Sequence, residues 1–294
     1  MKPSGWQPST PMSKIELQEL KKSLISETPR GLDTPGEIFL VVASHCLEQE
    51  KSWLLAYPEF QLEEHQAAMI TAAWQRLVSG EPLAYILEKQ EFFGYTFQVS
   101  PKVLIPRPET ELLVEKAIEW LTQHPAYRRA ADLGTGSGCI GIVLAKRFPD
   151  LQVTATEISP EALHLARMNA SAHQVQGQIR FLQADLLKGI GQDFDLVCAN
   201  LPYIPTHKLA AVNSIGYEPR LALDGGERGL DLIERLLGQL DGRLCTPGLC
   251  LLEIEETQGE QVLALAKKQL PKDKIKLYQD LAGKDRLVGI ERSA

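Results

Sequence analysis

The stretch from Val197 to Pro205 reads VCANLPYIP and combines side chains that could take part in chemistry with unusual backbone restraints. It follows a run typical of a buried strand, and that run ends at Asn200. Pro202 and Pro205 cannot donate a ladder hydrogen bond, and each biases the residue before it toward an extended conformation. The pattern predicts a stiffened strand end that presents an amide side chain and the aromatic ring of Tyr203.

A second candidate is the glycine-rich sequence DLGTGSGCIGI, which begins at Asp132 and follows a short β-rich run. Its glycines leave no Cβ where a loop passes close to a ligand, and a helix N-terminus follows. NAD sites use the same physics, but the Asp132 carboxylate disfavours a diphosphate and suits a ligand with an amino group and a sulfonium charge. The pattern therefore favours S-adenosylmethionine over NAD. The predicted cofactor-binding residues of this loop are Asp132, Gly134, Thr135, Gly136, Ser137 and Gly138.

Acidic residues end the next two predicted strands and extend the cofactor site. Glu157, in TATEISPEAL, can accept hydrogen bonds from ribose hydroxyls. Asp185, in FLQADLL, can accept from an adenine amino group, and Leu186 can cover the ring. The alternatives are a helix-capping acid at Glu157 and a solvated strand-end acid at Asp185. Glycines and acids at three successive strand ends together favour the cofactor interpretation.

The fourth strand end should then face the methyl group, and Asn200 stands there. A planar NH2 group is a poor nucleophile because its nitrogen lone pair is delocalised into the adjacent carbonyl or ring. The Asn200 side-chain oxygen and a backbone carbonyl of Leu201 or Pro202 could bind its two N–H groups, with Tyr203 against the planar face. Methyl transfer is an in-line displacement, so positioning should dominate catalysis. We predict Asn200, Pro202 and Tyr203 as catalytic residues, with Asn200 also beside the cofactor; a proline-rich loop with a turn asparagine is the alternative.

The elements around these motifs predict an α/β fold with a doubly wound, Rossmann-like sheet. From about residue 130, β-rich runs alternate with helical patterns, an order that places ligands at the carboxyl ends of the strands. A helix over ELLVEKAIEWLTQ, opened by Glu109 or Thr110, precedes them, and EFFGYTFQVS alternates like a strand. The predicted strands of the sheet are AADLG, LQVTATE, IRFLQAD, FDLVCAN, GLCLLEIE and RLVGIE.

The upstream part has a helical texture and no convincing strand. Helical patterns cover 36–56 and 62–79, the second closed by Gly80, and Ser13 with Glu16 predicts a capping box. The predicted domains are an N-terminal helical domain for substrate recognition at 1–80 (with 1–12 disordered), a β-hairpin linker at 81–109 and an S-adenosylmethionine-dependent methyltransferase domain at 110–294.

The composition excludes several classes of protein. The 294 residues carry a formal net charge of −7, which argues against non-specific nucleic-acid binding. There is no run of 18 apolar residues and no apolar segment near the N-terminus, so neither a membrane span nor a secretory signal is expected. The five cysteines form no CxxC pair, which predicts thiols in a reducing cytoplasm and no metal site.

The motifs also resemble a known family. Asn-Leu-Pro-Tyr is similar to motif IV of amino-methyltransferases. The chain around it resembles the protein-(glutamine-N5) methyltransferases of the PrmC/HemK family, which modify class-1 peptide-chain release factors. The resemblance covers about residues 80–292. It rests on PLAYILEKQEFFGYTFQVSPKVLIPRPETELLVE, DLGTGSGCIGI, ARMNA, NLPYIP, YEPRLALDGGERGLD, LLEIEETQGEQV and DLAGKDRLVGIER.

This resemblance implies a class I S-adenosylmethionine-dependent methyltransferase fold, with the helical part upstream corresponding to the family's N-terminal bundle. The implied substrate is the glutamine of the release factor's Gly-Gly-Gln loop. The alternatives for the implied entrance residues are core packing of the two phenylalanines and a local ion pair between Arg107 and Glu109. The implied substrate-binding residues are Asn200, Leu201, Pro202, Tyr203, Phe92, Phe93, Arg107 and Glu109.

Three positions depart from the family pattern. Leu201 replaces a proline, which keeps the backbone carbonyl but removes one restraint on the loop. Glu157 stands where Asp is commoner and is long enough to reach a ribose. Leu186 stands where some members have an aromatic residue, so stacking on adenine should be weaker.

Two other functions use the same motifs. An adenine-N6 methyltransferase acting on RNA or DNA could use the same NLPY chemistry, but it should carry a basic surface with aromatic residues. The acidic balance and the aromatic content of 6% do not favour such a surface. A regulatory module that only binds S-adenosylmethionine would have no use for a loop that orients an amide.

Overall fold

The chain divides into two compact units, Met1–Leu87 and Glu88–Ala294. The segment predicted to be disordered, 1–12, and Ser13 of the predicted capping box lie outside the residues that the structure describes. The structure is a computed structural model, and it describes residues 14–28, 32–211 and 216–293.

The first unit is a set of short helices with one short strand pair. Its elements are β1 (Ile15–Glu16), α1 (Leu17–Ser26), α2 (Pro35–Leu47), α3 (Lys51–Ala56), β2 (Gln61–Leu62), α4 (Glu64–Val78) and α5 (Leu83–Ile86). The helices bury their apolar faces around Phe39, Ile70 and Trp74. Glu16 precedes α1 but makes no side-chain capping bond. β1 and β2 pair in antiparallel, so the expectation that this part has no strand is wrong for these residues.

Two long helices were expected in this unit, and the structure contains one of them as a single helix and divides the other. The helix predicted over 36–56 is two helices, because Glu48 has a left-handed φ of 52° and ends α2. The helix predicted over 62–79 is confirmed as α4. Gly80 follows it with a φ of 94°, the conformation that favours glycine after a helix.

The second unit contains a hairpin followed by alternating strands and helices. Its hairpin strands are β3 (Lys89–Phe92) and β4 (Tyr95–Gln98), joined by Phe93 and Gly94. Both joining residues have positive φ, 51° and 75°, as a tight two-residue turn requires. The other elements are α6 (Glu111–Gln123), β5 (Arg129–Leu133), α7 (Cys139–Arg147), β6 (Gln152–Glu157), α8 (Pro160–Ala172), β7 (Ile179–Gln183), β8 (Phe194–Ala199), α9 (Asp231–Leu240), β9 (Leu244–Glu253), α10 (Gly259–Gln269), β10 (Lys274–Gln279) and β11 (Asp285–Arg292).

Seven of these strands form one sheet in the order β10-β11-β9-β8-β5-β6-β7. β5 pairs in parallel with both β6 and β8, and β11 runs antiparallel to both of its neighbours. The chain winds from β5 through β6 to β7 and then continues on the other side from β8. The predicted doubly wound fold is confirmed, and its winding reverses between β5 and β8, where such sheets bind ligands outside the strand ends.

Helices cover both faces of this sheet. All residues of β8 are buried, as expected for a parallel strand covered on both faces. One apolar cluster includes residues of α6 and α7, and the other includes residues of α9 and α10. The strands predicted from sequence are present, and β10 is an additional one that alternates exposed and half-buried residues at the sheet edge. In the described part of the chain, no helix is long and apolar enough to cross a membrane.

Candidate active site

A cavity of about 870 Å³ lies in the second unit at the carboxyl ends of the parallel strands. The loops after β5 and β8 form its walls, together with the strand ends of β6 and β7 and the segments 101–107 and 219–226. The predicted residues that line it are Arg107, Gly134, Thr135, Gly136, Ser137, Glu157, Asp185, Leu186, Asn200, Leu201 and Pro202. The predicted residues outside its lining are Phe92, Phe93, Glu109, Asp132, Gly138 and Tyr203.

The glycine-rich loop after β5 passes through backbone conformations that favour glycine. Gly134, Gly136 and Gly138 have φ values of 67°, 53° and 86°. A Cβ on Gly138 would lie 2.9 Å from Ile142 Cδ1, so close packing adds to the requirement there. A Cβ on Gly136 would have only one neighbouring atom within 4 Å, at 3.9 Å. The loop therefore leaves open space beside Gly136, where a ligand could approach the backbone closely.

Asp132 lies behind this loop. Its Oδ2 accepts hydrogen bonds from Thr135 Oγ1 at 2.5 Å and from the Gly141 N–H at 3.0 Å. Its Oδ1 is buried without a hydrogen-bond partner in the described part of the chain. Burial raises the pKa of Asp132 to about 6, although both hydrogen bonds favour the charged form. Asp132 thus holds the loop from behind, and its direct contact with a ligand stays a prediction.

Glu157 ends β6 and is held by three backbone N–H groups. Its Oε2 accepts from Gly136 at 3.0 Å. Its Oε1 accepts from Ile158 at 2.8 Å and from Ser159 at 3.0 Å. Because a carboxylate offers about four lone-pair positions, these contacts leave about one position, on Oε2, for a ligand hydroxyl. Ser159 and not Glu157 caps the following helix, so the helix-capping alternative for this acid is wrong, and Glu157 lines the cavity.

Asp185, just beyond β7, forms an ion pair with Arg235 of α9, and both residues line the cavity. Leu186 is buried beside them and has a left-handed φ of 55°. Ile158 also lines the cavity and is 50% exposed. Asp185, Leu186 and Ile158 thus give the cavity one acidic group and two apolar side chains.

Asn200 follows β8, and Thr110 holds its amide. Asn200 Nδ2 donates to Thr110 Oγ1 at 2.9 Å, although 90 residues separate the two in the chain. Thr110 is buried directly before α6 and also lines the cavity. A Cβ on Gly134 would lie 3.1 Å from Leu201 Cδ2, so the Asn200 loop (residues 200–205) and the glycine-rich loop are in contact.

The Asn200 loop is restrained by its prolines and also by contacts with residues 223–225. The Ile204 N–H donates to the Leu223 carbonyl at 3.0 Å, and the Gly225 N–H donates back to the Ile204 carbonyl at 2.9 Å. A Cβ on Gly225 would lie 2.7 Å from the Pro202 carbonyl oxygen. Only glycine allows this approach, so Gly225 fixes the loop by close packing.

Tyr203 supports the loop from outside the cavity. Its backbone carbonyl accepts from Gln258 Nε2 at 3.0 Å. Burial raises the pKa of Tyr203, and the nearby carboxyl group of Glu253 raises it as well. Tyr203 is half-buried and is not among the residues that line the cavity, so its contact with a planar substrate group stays a prediction.

The implied entrance residues do not form one group. Arg107 lines the cavity, and its Nη2 lies 2.7 Å from each carboxylate oxygen of Glu218. The ion-pair partner of Arg107 is thus Glu218, and Glu109 is exposed outside the cavity lining. Phe92 is buried in a core cluster of the sheet and Phe93 packs against the same cluster. Their packing is that of core residues.

Several residues around the site did not stand out in the sequence. The sequence predicts Thr110 only as a helix start, Gly225 only as part of a stretch that resembles the family, and Arg235 lies outside every motif. Glu253 is an acid at the end of a buried strand, where burial raises its pKa to about 7. Two local features of the sequence could have indicated site residues. One is the position of Glu253 at the end of the apolar run in GLCLLEIE, and the other is the position of Ile158 directly after Glu157. Within the described residues, no group of three or more His, Cys, Asp or Glu could hold a metal ion.

Comparisons with known proteins agree with this architecture. The PrmC N-terminal domain family model matches residues 25–87, and the methyltransferase small domain family model matches residues 109–217. Release factor glutamine methyltransferases of Moorella thermoacetica and Koribacter versatilis are 41% and 39% identical to this chain, over 87% of this chain and 91% of each relative. The T. thermophilus 16S rRNA N2 G1207 methyltransferase, solved with AdoMet and guanosine, shares the fold at 18% identity and a TM-score of 0.51, over 69% of this chain and 49% of that one. The chain therefore belongs to the release factor glutamine methyltransferase family.

Proposed function

We propose that this chain methylates the side-chain amide nitrogen, N5, of the glutamine in the Gly-Gly-Gln loop of class-1 peptide-chain release factors. Relatives named for release factor glutamine methylation align with it over most of their length. The observation that carries the proposal is that Asn200 and the glycine-rich loop line the same cavity. A module that only bound S-adenosylmethionine would not need an amide-holding side chain there.

The cavity residues fit S-adenosylmethionine, which supplies an electrophilic methyl group when bound. The space beside Gly136 suits a ligand that approaches the backbone, and Glu157 has an acceptor position for one ribose hydroxyl. Asp185 can accept from an adenine amino group, and the apolar surfaces of Ile158 and Leu186 can cover the ring. The proposed cofactor-binding residues are Asp132, Gly134, Thr135, Gly136, Ser137, Gly138, Ile158, Glu157, Asp185, Leu186 and Asn200.

Asn200 is proposed to hold the substrate amide for the transfer. Its Nδ2 donates a hydrogen bond to Thr110, so Oδ1 is the atom that can accept a substrate N–H. A backbone carbonyl accepts the second N–H, and the packing of Gly225 on the Pro202 carbonyl favours Leu201 for this role. With both N–H groups held, the nitrogen lone pair faces the methyl group. After transfer the nitrogen loses its extra proton to water.

Tyr203 and Arg107 are proposed to act on the shape of the site. Tyr203 holds the Asn200 loop through its backbone carbonyl, which accepts from Gln258, and this is a positioning role. Arg107 ties the 101–107 wall of the cavity to Glu218 through a buried carboxylate. A planar pair of this kind fixes geometry as well as charge.

The first unit is proposed to recognise the release factor. It exposes Leu55, Tyr57 and Met69, which a protein partner could cover. Because release factors act in translation, the cytoplasm is the expected location, and the net charge of −7 predicts no stable nucleic-acid binding.

Labelled S-adenosylmethionine tests the proposed reaction. We expect label on a purified class-1 release factor and none on the same factor with the Gly-Gly-Gln glutamine replaced by alanine. Ribosomal RNA and DNA serve as competing substrates in parallel reactions. Label on adenine in either nucleic acid, with none on the release factor, would favour the adenine-N6 alternative and contradict the proposal.

A further inference from the structure

A buried amide side chain behind the Asn200 loop joins three loops of the second unit. Gln258 lies between β9 and α10 and is 4% exposed. Its Nε2 donates to the Tyr203 carbonyl at 3.0 Å and to the Gly229 carbonyl at 3.2 Å. Its Oε1 accepts from the Glu255 N–H at 3.1 Å. One side chain thus binds the loop after β8, the segment before α9 and the loop after β9.

The backbone groups around Gln258 allow its amide only one orientation. A carbonyl can only accept a hydrogen bond, and a backbone N–H can only donate one. The carbonyls of Tyr203 and Gly229 therefore require the NH2 group on their side, and the Glu255 N–H requires the oxygen on the other. A glutamate of the same shape would instead place a carboxylate oxygen against the two carbonyl oxygens.

Gly229 brings the two carbonyls together. It has a φ of 74°, a conformation that favours glycine. A Cβ on Gly229 would clash with the Tyr203 carbonyl oxygen and would lie 2.8 Å from Gln258 Nε2. The Tyr203 carbonyl is thus held between the backbone of Gly229 and the amide of Gln258.

We infer that Gln258 is a positioning residue for methyl transfer, which acts by holding the Asn200 loop. The inference rests on the proposed role of Asn200. Gln258 is not among the residues that line the cavity, so its effect on the reaction must pass through the loop. Pro202 lies between Tyr203 and Asn200, and its ring fixes φ. Because the loop can absorb little movement at that residue, a shift of the Tyr203 carbonyl displaces Asn200.

The variant Gln258→Glu tests this inference, because it keeps the shape of the side chain and reverses its polarity toward the two carbonyls. The measured quantities are the single-turnover rate of release factor methylation at saturating S-adenosylmethionine and the cofactor Kd. Displacement of the loop should slow transfer by about 10²-fold, with the cofactor Kd within about threefold of the wild type. In the Asn200→Ala background the same change should alter the rate by less than about threefold, because the two residues act as one unit.

A matched variant and a second measurement separate positioning from general damage to the fold. Gln261 is exposed in the first turn of α10, so Gln261→Glu should leave the rate and the cofactor Kd unaffected. Hydrogen exchange followed by mass spectrometry does not depend on activity. In Gln258→Glu, peptides that cover residues 200–205 should exchange faster than in the wild type, and peptides that cover the glycine-rich loop should not. If Gln258→Glu does not fold, as judged by its melting curve, Gln258→Met, which removes the hydrogen bonds, replaces it in both measurements.

The outcomes that overturn this inference differ from those that contradict the proposed function. Equal slowing by Gln258→Glu in both backgrounds, loss of cofactor binding together with the rate, or unchanged exchange of residues 200–205 would overturn the inference alone. A near wild-type rate in Gln258→Glu beside a slow Asn200→Ala would do the same. A near wild-type rate in Asn200→Ala, or a wild-type enzyme that does not methylate the release factor, would contradict the proposed function and this inference with it.

Discussion

The cofactor half of the cavity and its transfer half are built in different ways. The cofactor half consists of the glycine-rich loop after β5 and of Glu157 at the end of β6, and the Gly136 N–H donates to the Glu157 carboxylate. The transfer half is the Asn200 loop, whose geometry depends on Thr110, Gly225 and Gln258 from three distant parts of the chain. The first half is encoded locally, whereas the second is assembled by the fold.

This difference predicts separable consequences of substitution. Changes in the cofactor half should remove cofactor binding, and with it the reaction. Changes in the transfer half should slow methylation while the cofactor still binds. A substitution in the transfer half that lowered cofactor affinity and methylation rate together would weaken this distinction.

The largest effect is expected for Gly136→Val in the cofactor half. A β-branched residue is strained at a φ of 53° and would fill the space that we assign to the ligand. Calorimetry should detect no binding of S-adenosylmethionine to a folded protein. Gly177→Val is the control, since a Cβ there meets nothing within 4 Å and no positive φ is required. Wild-type affinity in folded Gly136→Val would refute the placement of the cofactor.

A smaller effect is expected for Gly225→Ala in the transfer half. The added methyl would lie 2.7 Å from the Pro202 carbonyl oxygen, so the Asn200 loop must shift. Displacement of the order of 1 Å should reduce the single-turnover rate by about 10²-fold while leaving the cofactor Kd near that of the wild type. Gly216→Ala, where a Cβ has open space, is the control. Equal losses of binding and rate would show that the two halves are not separable.

The smallest effect is expected in the pH dependence of stability. Burial raises the pKa of Glu253 from 4.5 to about 7, so folding favours its neutral form. The stability that this provides is complete below pH 4.5 and is lost as the pH rises through 7. Between about pH 5 and 8, Glu253→Gln should therefore gain about 2 kcal/mol in free energy of unfolding relative to the wild type.

Denaturant titrations at several pH values measure this difference. Glu260→Gln, at an exposed acid of α10, is the control and should follow the wild type at every pH. A constant difference between Glu253→Gln and the wild type across this range would mean that Glu253 does not titrate there.

The same contrast explains how far the sequence alone was informative. The sheet and the glycine-rich loop were predictable because their patterns are contiguous, with apolar runs ending in glycines or acids. Asn200 was predictable because the prolines beside it mark an abrupt strand end. The contact of Thr110 with Asn200 was not predictable, since a hydrogen bond across 90 residues leaves no trace in a local pattern.

Three further differences between the expectations from sequence and the structure have local physical causes. Glu48 breaks a helix that its apolar periodicity would continue, because one left-handed residue is enough to end it. β10 is an edge strand in which exposed lysines interrupt the apolar pattern. Phe92 and Phe93 belong to a hairpin that packs on the core, so their proximity to RPET in sequence does not bring them to the cavity.

The rate of methyl transfer by Asn200→Ala tests the central claim most directly. The measurement is single-turnover methylation of a release factor with S-adenosylmethionine saturating, beside calorimetry of cofactor binding. Loss of a hydrogen bond that matters mainly in the transition state should slow transfer by about 10²–10³-fold, with cofactor affinity near that of the wild type. A rate within about threefold of the wild type, far smaller than that loss, would mean that Asn200 is only a turn residue.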